Sequence, residues 1–449
     1  LNFHAEATIK LKLDSLGNWR KTIFTSDITA EQDGKKVVVL GWVQEIRDLG
    51  AIKFLILQDR QGTVQITIPT KKADKRVLEK ANSVQVQYCI GVEGTVKKTA
   101  MTQRGVEITP SEIRILSRAN HPLPLDVTGK TPATIDTRLN ARILDLCTAE
   151  NRAIWNIQSE TLSTLRKFLR HEGFVEVYTP RIIATATEGG ASLFSLNYFD
   201  REAYLAQSPQ LYKEELTLCF EKVFEVGAFF RAEESHTRRH LSEFVSIDIE
   251  QAFATSEDVM TLLEQIMFHI CSSLTKNCKR ELETLNHKIE PPKLPFQRFS
   301  YTTVLQELKK EGVEIPWGED IPTPAYRSLG KLHPYFYFIT DWPTKSKPFY
   351  IKQRDDDPEI SEGFDLMWKW MELASGGTRV HSKETAFRRL EEQGLQPDSF
   401  KHHLQVFDYG LPPHAGWATG LERLLMMLTG KRNIREVVLF PRDRTRLTP

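Results

Sequence analysis

Between Lys35 and Leu116 the chain repeats one pattern, short apolar and β-branched runs broken by polar turns. The runs are Val37–Val43, Lys53–Leu57, Val64–Ile68, Val84–Tyr88 and Val106–Ile108. Five strand-sized segments in about 80 residues predict a small barrel. Asp59-Arg60-Gln61-Gly62 supplies the turn of one hairpin, because Asp and Gly accept the backbone angles of a tight reversal.

Lys71 to Ala81 is rich in Lys and Arg but carries Val77 and Leu78, the character of the helix that closes one end of an OB-fold. The strand pattern alone fits a generic small barrel equally well. His121-Pro122-Leu123-Pro124-Leu125 follows, and its two prolines make a stiff connector. The organisation predicted is a barrel domain with an amino-terminal extension over 1–118, a hinge over 119–140 and a second domain over 141–449.

Charge is divided unevenly along the chain. Residues 1–130 hold 20 basic and 14 acidic side chains and the remainder 40 and 45, so a formal charge of +1 conceals a basic amino-terminal module. Such a module suits a polyanion gripped at one end, or simply a solvated basic face. With 40% hydrophobic and 27% charged residues in 449, a disordered chain and a uniformly basic binder are excluded. Five scattered cysteines argue for a reducing compartment. No apolar run reaches the roughly 18 residues of a membrane span, and Leu1 to Arg20 shows no export signal, so the expected location is cytoplasmic, away from membranes.

Beyond the connector, Ile154, Ile157, Thr161, Leu162, Leu165, Phe168 and Leu169 recur at helical spacing, ending at Gly173. Phe174 to Thr179 reads as a strand stopped by Pro180, and Lys222 to Phe253 holds two further strands around a charged stretch. Helices and strands alternate without a regular βαβ rhythm, which predicts an α+β domain on a mainly antiparallel sheet flanked by helices.

Three clusters carry chemistry. The first is Arg231 and Glu233, then Arg239-His240-Leu241, then Phe244, Ser246, Asp248 and Glu250 on one face of a strand. Guanidinium groups fork onto phosphate oxygens and an aromatic face accepts a purine, so this cluster can hold a nucleotide; a salt-bridged surface hairpin would look the same. The second runs from Phe364-Asp365-Leu366 to Arg379: Glu372 and Ser375 offer hard oxygens, Gly376-Gly377 admits a close backbone approach to a ligand, and Arg379 presents a fork. A glycine turn with a structural arginine is the plainer alternative. In the third, Gly416 to Gly420 precedes a helix with Leu421, Leu424, Leu425 and Leu428 on its buried face and Arg423 in its first turn. Neither a Walker loop nor a GxGxxG is present.

Pro180 after a helix and strand, Arg231 with Arg239-His240-Leu241, and Gly420-Leu421-Glu422-Arg423 resemble, in order, the three motifs of class II aminoacyl-tRNA synthetases. The preceding barrel resembles subclass IIb. Gln207-Ser208-Pro209-Gln210-Leu211-Tyr212-Lys213 narrows the resemblance to the aspartyl-tRNA synthetase family, and the short span between the second and third motifs to its archaeal and eukaryotic type.

The resemblance implies the following roles. Arg231 bridges the α-phosphate of ATP and the substrate carboxylate; Glu233, Arg239, His240, Leu241 and Gly420 line the ATP site; Phe244 stacks on adenine and Arg423 covers its other face and the γ-phosphate. Glu372 and Ser375 hold Mg²⁺. Lys213 and Arg379 pin the aspartate side chain with Gln210 and Ser375 beside them, Glu188 lies in a loop that closes over the amino acid, and Asp248 faces its ammonium. In the barrel, Phe54 stacks on an anticodon base, while Gln65, Glu107 and Gln44 read others. Thr378, where glutamine is common, and Trp417-Ala418, in a usually glycine-rich approach, depart from the family pattern.

The implied reaction is ATP-dependent formation of aspartyl-adenylate and transfer to the terminal 3′-hydroxyl of tRNA(Asp), by a homodimer paired through Trp155 to Pro180. The rivals are an asparaginyl enzyme, disfavoured by Lys213, a lysyl enzyme, disfavoured by two cations in the amino-acid pocket, and a tRNA-binding paralogue without activity, disfavoured by intact Arg231, Glu372 and Arg423. Gln44 matches neither the histidine of enzymes that also charge tRNA(Asn) nor the tryptophan of some stringent relatives, and the expectation is tRNA(Asp) alone.

Overall fold

The computed structural model describes residues 13–185, 193–232 and 237–449. The chain divides into two compact units between Arg152 and Ala153. Among the described residues no helix is long and apolar enough to cross a membrane.

The first unit is a closed barrel of β1 (Lys36–Asp48), β2 (Ile52–Gln58), β3 (Thr63–Pro69), β4 (Cys89–Lys98) and β5 (Val106–Ser117), in the order β1-β2-β3-β5-β4. Alternation puts Val39, Val43, Leu55, Leu57, Ile66, Ile68, Ile90, Val92 and Ile108 inside. Each such side chain contributes about 1.5 to 3 kcal/mol by leaving water. The helix Lys75–Ser83 is capped by Asp74, which accepts from the Arg76 N–H, and turns Val77 and Ala81 inward.

One strand was misplaced by pattern. Val84 to Tyr88 alternates like a strand but is a turn, with Gln87 at φ +65° and Tyr88 N–H bonded to Gln85 O. The true strand, β4, was obscured by Gly91 and Gly94. A Cβ on Gly94 would lie 2.4 Å from Thr109 O, so the glycine is the condition for β4 to pair with β5 there.

The second unit is built on an eight-stranded sheet. Its strands are β6 (Val175–Glu176), β10 (Lys222–Phe230), β11 (Glu243–Ala252), β12 (Gln297–Ser300), β13 (Phe336–Thr340), β14 (Gly363–Trp368), β15 (Met371–Thr378) and β16 (His414–Gly420). Between β6 and β10 lie β7 (Ile182–Ile183), β8 (Ser195–Tyr198) and β9 (Arg201–Leu205), a separate small sheet. The large sheet runs β12-β13-β14-β15-β16-β11-β10-β6, antiparallel except for its end pairs β12–β13 and β10–β6. The helices Ala149–His171, Ser256–Asn277 and Leu421–Thr429 supply apolar partners for one face, among them Ile157, Leu165, Ile266, Ile270, Leu424 and Leu425. The strand expected over Phe174–Thr179 shrinks to Val175–Glu176, because Thr179 gives its N–H and hydroxyl to the Glu225 carboxylate instead of to a ladder.

Candidate active site

The face of the large sheet opposite those helices opens into a cleft of about 300 Å³. Its wall is formed by β11, β15 and β16, the start of the helix Leu421–Thr429 and the segment after β10. Of the residues predicted for ATP or the amino acid, Arg231, Arg239, His240, Leu241, Phe244, Glu372, Gly420, Arg423, Gln210, Asp248, Ser375 and Arg379 all line it. Lys213 does not: it is buried behind the wall. Glu188 and Glu233 lie outside the described residues.

One end of the cleft is aromatic and cationic. Arg231 follows β10, anchored by its N–H to Ser242 O, and its guanidinium lies 5.4 Å from the Phe244 ring centre. Arg423 Nη1 is 3.5 Å from Glu372 Oε1, a loose pair between partly exposed groups that leaves both open to a ligand. Glu422, beside it, is buried and accepts from the Val245 N–H at 2.9 Å. Burial pushes its carboxyl up to about 7.

Glu372 and Ser375, three apart on a strand, should point to opposite faces. They share a face because β15 carries a bulge: Ala374 pairs with Leu366 but Glu372 with Met367, leaving Leu373 as the extra residue. Leu373 and Ala374 therefore both enter the core, and parity reverses. Asp365, opposite Ser375, is held by Lys347 Nζ at 2.9 Å from both oxygens. Two hard oxygens on one wall fit a Mg²⁺-type donor set completed by phosphate oxygens and water. Among the described residues no group of three or more His, Cys, Asp or Glu could hold an ion alone.

The glycines of this region also serve packing, and Gly376 lines the cleft as well. A Cβ on Gly376 would lie 2.4 Å from Gly416 O, and one on Gly416 would lie 2.3 Å from Glu250 Oε2.

That second approach belongs to the other end of the cleft, where charges are buried in pairs. Glu250 takes Arg379 Nε at 2.9 Å and Nη2 at 3.2 Å, and Lys213 Nζ lies 3.0 Å from Asp248 Oδ1 and 3.5 Å from Glu250 Oε2. Arg379 has five donors, so this fork leaves N–H groups for a second carboxylate. Asp248 Oδ2 is buried without a hydrogen-bond partner, on the cleft wall. Deeper lies Glu214, bonded by Gln210 Nε2 and 3.5 Å from His414 Nε2. Burial opposes its charge, but His414, His403 and Arg379 hold the Glu214 carboxyl below its ordinary range. Glu214 correspondingly raises His414 against the opposing effect of burial. Sequence reading missed this layer; the only local signal was Pro412-Pro413-His414 opening a glycine-containing strand.

In the barrel, Phe54 is half-buried on the outer face, outside the apolar core, and pairs across the ladder with Thr67. Thr67 Oγ1 and Gln65 Nε2 both donate to Glu107 Oε2, at 2.6 and 3.1 Å. Gln44 is the extra residue of a bulge in β1, between Val43, paired with Leu57, and Glu45, paired with Ile56. Val43 and Ile46 both face the core, so Gln44 and Glu45 together turn outward.

Residues 134–444 match the family model for class II tRNA synthetases (D, K and N), and residues 37–116 that for the OB-fold nucleic acid binding domain. The chain is 49% identical to the aspartate--tRNA(Asp/Asn) ligase of Methanopyrus kandleri, over 96% of this chain and 100% of that one. It is 47% identical to the ligase of the same name from Archaeoglobus fulgidus, over 95% and 100%. The asparaginyl-tRNA synthetase of Pyrococcus horikoshii, solved with asparaginyl-adenylate, superimposes with a TM-score of 0.91 at 30% identity, covering 96% of this chain and 100% of that one.

Proposed function

The chain belongs to the class II tRNA synthetases of the D, K and N group, and from that premise we propose that it joins L-aspartate to tRNA using ATP. The observation that carries the choice of amino acid is the buried Arg379 fork, which Glu250 occupies on only one side while Lys213 lies behind it. A side-chain carboxylate accepts from the remaining N–H groups of the fork with both oxygens, whereas a neutral amide offers one oxygen and turns an N–H₂ donor toward donors.

In the first step an aspartate carboxylate oxygen attacks the α-phosphorus of ATP and pyrophosphate leaves. Arg231 neutralises charge on the reacting phosphate while Phe244 holds the base, and Asp248 Oδ2 receives the substrate ammonium. Glu372 and Ser375 would hold Mg²⁺, which supplies positive charge to the phosphate oxygens when bound. In the second step the 3′-hydroxyl of tRNA attacks the adenylate carbonyl and AMP departs. Phe54 stacks on an anticodon base, and Gln65, Glu107 and Gln44 offer hydrogen bonds to its neighbours.

Aspartate-dependent exchange of pyrophosphate into ATP tests this reading. Exchange faster with asparagine than with aspartate overturns it. Substrate tRNA has two readings: Gln44 favours tRNA(Asp) alone, whereas the relatives' names carry both tRNA(Asp) and tRNA(Asn). Charging of purified tRNA(Asn) at a rate comparable to tRNA(Asp) decides for the second.

The working protein is a homodimer in this proposal. Exposed Val175 and Tyr178 within the Trp155–Pro180 segment, and Ile182 just after it, support pairing there. A fully active monomer in sedimentation at micromolar concentration contradicts it. Five free cysteines support a reducing compartment such as the cytoplasm.

A further inference from the structure

Arg239 is held at the cleft by two groups to which the sequence analysis assigns no role. Its Nη2 donates to Thr323 Oγ1 at 2.7 Å, and its guanidinium lies 5.1 Å from the Trp370 ring centre. Thr323 begins the helix Thr323–Leu332, and Arg327, four residues on, brings a second guanidinium to 5.5 Å from the same ring. Trp370 sits in the turn joining β14 to β15, two residues before Glu372. The helix packs hard on this turn: a Cβ on Gly330 would lie 2.6 Å from Trp370 N.

The two guanidiniums are poorly compensated. Among the described residues neither Arg239 nor Arg327 forms an ion pair with a carboxylate, and Arg327 is exposed. Burial, and then the neighbouring Arg423 and Arg327 cations, weaken the hold of Arg239 on its proton. Like charges gathered on one ring repel, and an indole offsets that only in part. Such a cluster beside Glu372 and Arg423 is a place prepared for a polyanion.

We propose that Arg327 is a further positioning residue of the activation step: with Trp370 and Thr323 it fixes Arg239 and adds positive charge where the β- and γ-phosphates of ATP lie. The inference rests on the reading of the cleft as an ATP site. As the carboxylate oxygen bonds to the α-phosphorus, the bond to the α–β bridging oxygen breaks and pyrophosphate takes the electron pair. Negative charge therefore grows at the end of the nucleotide that faces these cations, and no protein proton is required.

The test is aspartate-dependent pyrophosphate exchange by the full chain, with ATP, pyrophosphate and aspartate varied separately. Arg327→Ala should raise the KM for pyrophosphate and for ATP about tenfold, the loss of one charge-assisted contact, and leave the KM for aspartate unchanged. Arg327→Lys should recover most of the loss, and Thr323→Val should show the same pattern more weakly. Unchanged KM values for ATP and pyrophosphate in Arg327→Ala overturn the inference. So does an equal rise in all three KM values with a lowered Tm, the mark of a purely structural role. A wild-type protein without aspartate-dependent exchange instead overturns the reading of the cleft, and this inference with it.

Discussion

Each unit buries a carboxylate, and the two are driven in opposite directions. Asp59, in the hairpin turn between β2 and β3, accepts from Lys21 Nζ, from the N–H and hydroxyl of Thr25, and from the N–H groups of Gln61 and Gly62. Burial opposes its charge, but these donors hold its carboxyl below the ordinary range. Glu422 lies deeper, has the Val245 N–H as its main donor, and is pushed up to about 7. The charge of a buried acid is thus set by the depth of its burial against the supply of donors. The barrel uses its donors to close a turn and keeps Phe54, Gln65, Glu107 and Gln44 outside its apolar core. The second unit places its charges inside, in pairs that leave N–H groups of Arg379 unused by Glu250.

Four substitutions break or sharpen this contrast. The largest effect is expected for Glu250→Gln, which leaves the Arg379 charge buried without its carboxylate. It should cost about 3 to 5 kcal/mol of stability and abolish exchange, read by denaturant unfolding and the exchange assay. A change under 1 kcal/mol would mean that the pair is not needed. Next, Asp59→Ala opens a polar space that water enters to meet most of the released donors, at a cost of about 1 to 3 kcal/mol in all. Hydrogen exchange should quicken in the barrel and not in the catalytic sheet.

Third, Glu422→Gln should change the pH profile. Because the folded value is raised, the stability that Glu422 lends is fully present below its unfolded value, near pH 4, and is lost as pH rises through about 7. The slope is about 1.4 kcal/mol per pH unit between those limits. Tm measured from pH 4 to 8 should fall less in Glu422→Gln than in wild type. Asp59 acts with the opposite sign, its contribution being present above its unfolded value and lost as pH falls through its lower folded one. Identical Tm profiles for wild type and Glu422→Gln would remove the contrast. Smallest, Phe54→Ala should raise the KM for tRNA by the equivalent of about 1 to 3 kcal/mol and leave pyrophosphate exchange intact. An equal loss in both assays would make Phe54 a packing residue.

What the sequence disclosed follows from the range of the interactions involved. Period-two alternation is local, so four of the five barrel strands and both strands around the charged stretch were legible. Cys89–Lys98 was not, because its glycines answer to neighbouring strands such as β5. Arg231, Phe244, Glu372, Ser375 and Arg423 could be named because each sits in a short ordered motif. Glu214 with His414, Arg379 with Glu250, and Trp370 with Arg239 and Arg327 could not be paired, since these partners stand from 43 to 200 positions apart. The Lys213–Arg379 reading likewise foresaw two cations but not the Asp248 and Glu250 that hold them.

The bulge at Leu373 makes the register of β15 against β14 a property that matters separately from the identity of its residues. An exchange of Leu373 for another apolar residue is a matter of volume, absorbed by the core around it. If β15 paired without the bulge at unchanged length, strict alternation would send one of the two oxygens to the wrong side of the sheet with every side chain intact, whereas loss of the one extra residue would leave Glu372 and Ser375 two apart and still on one face. A relative with a one-residue gap at this point can therefore present the same oxygen pair on a plain strand, whereas one with the same spacing needs the bulge as well as the glutamate and serine.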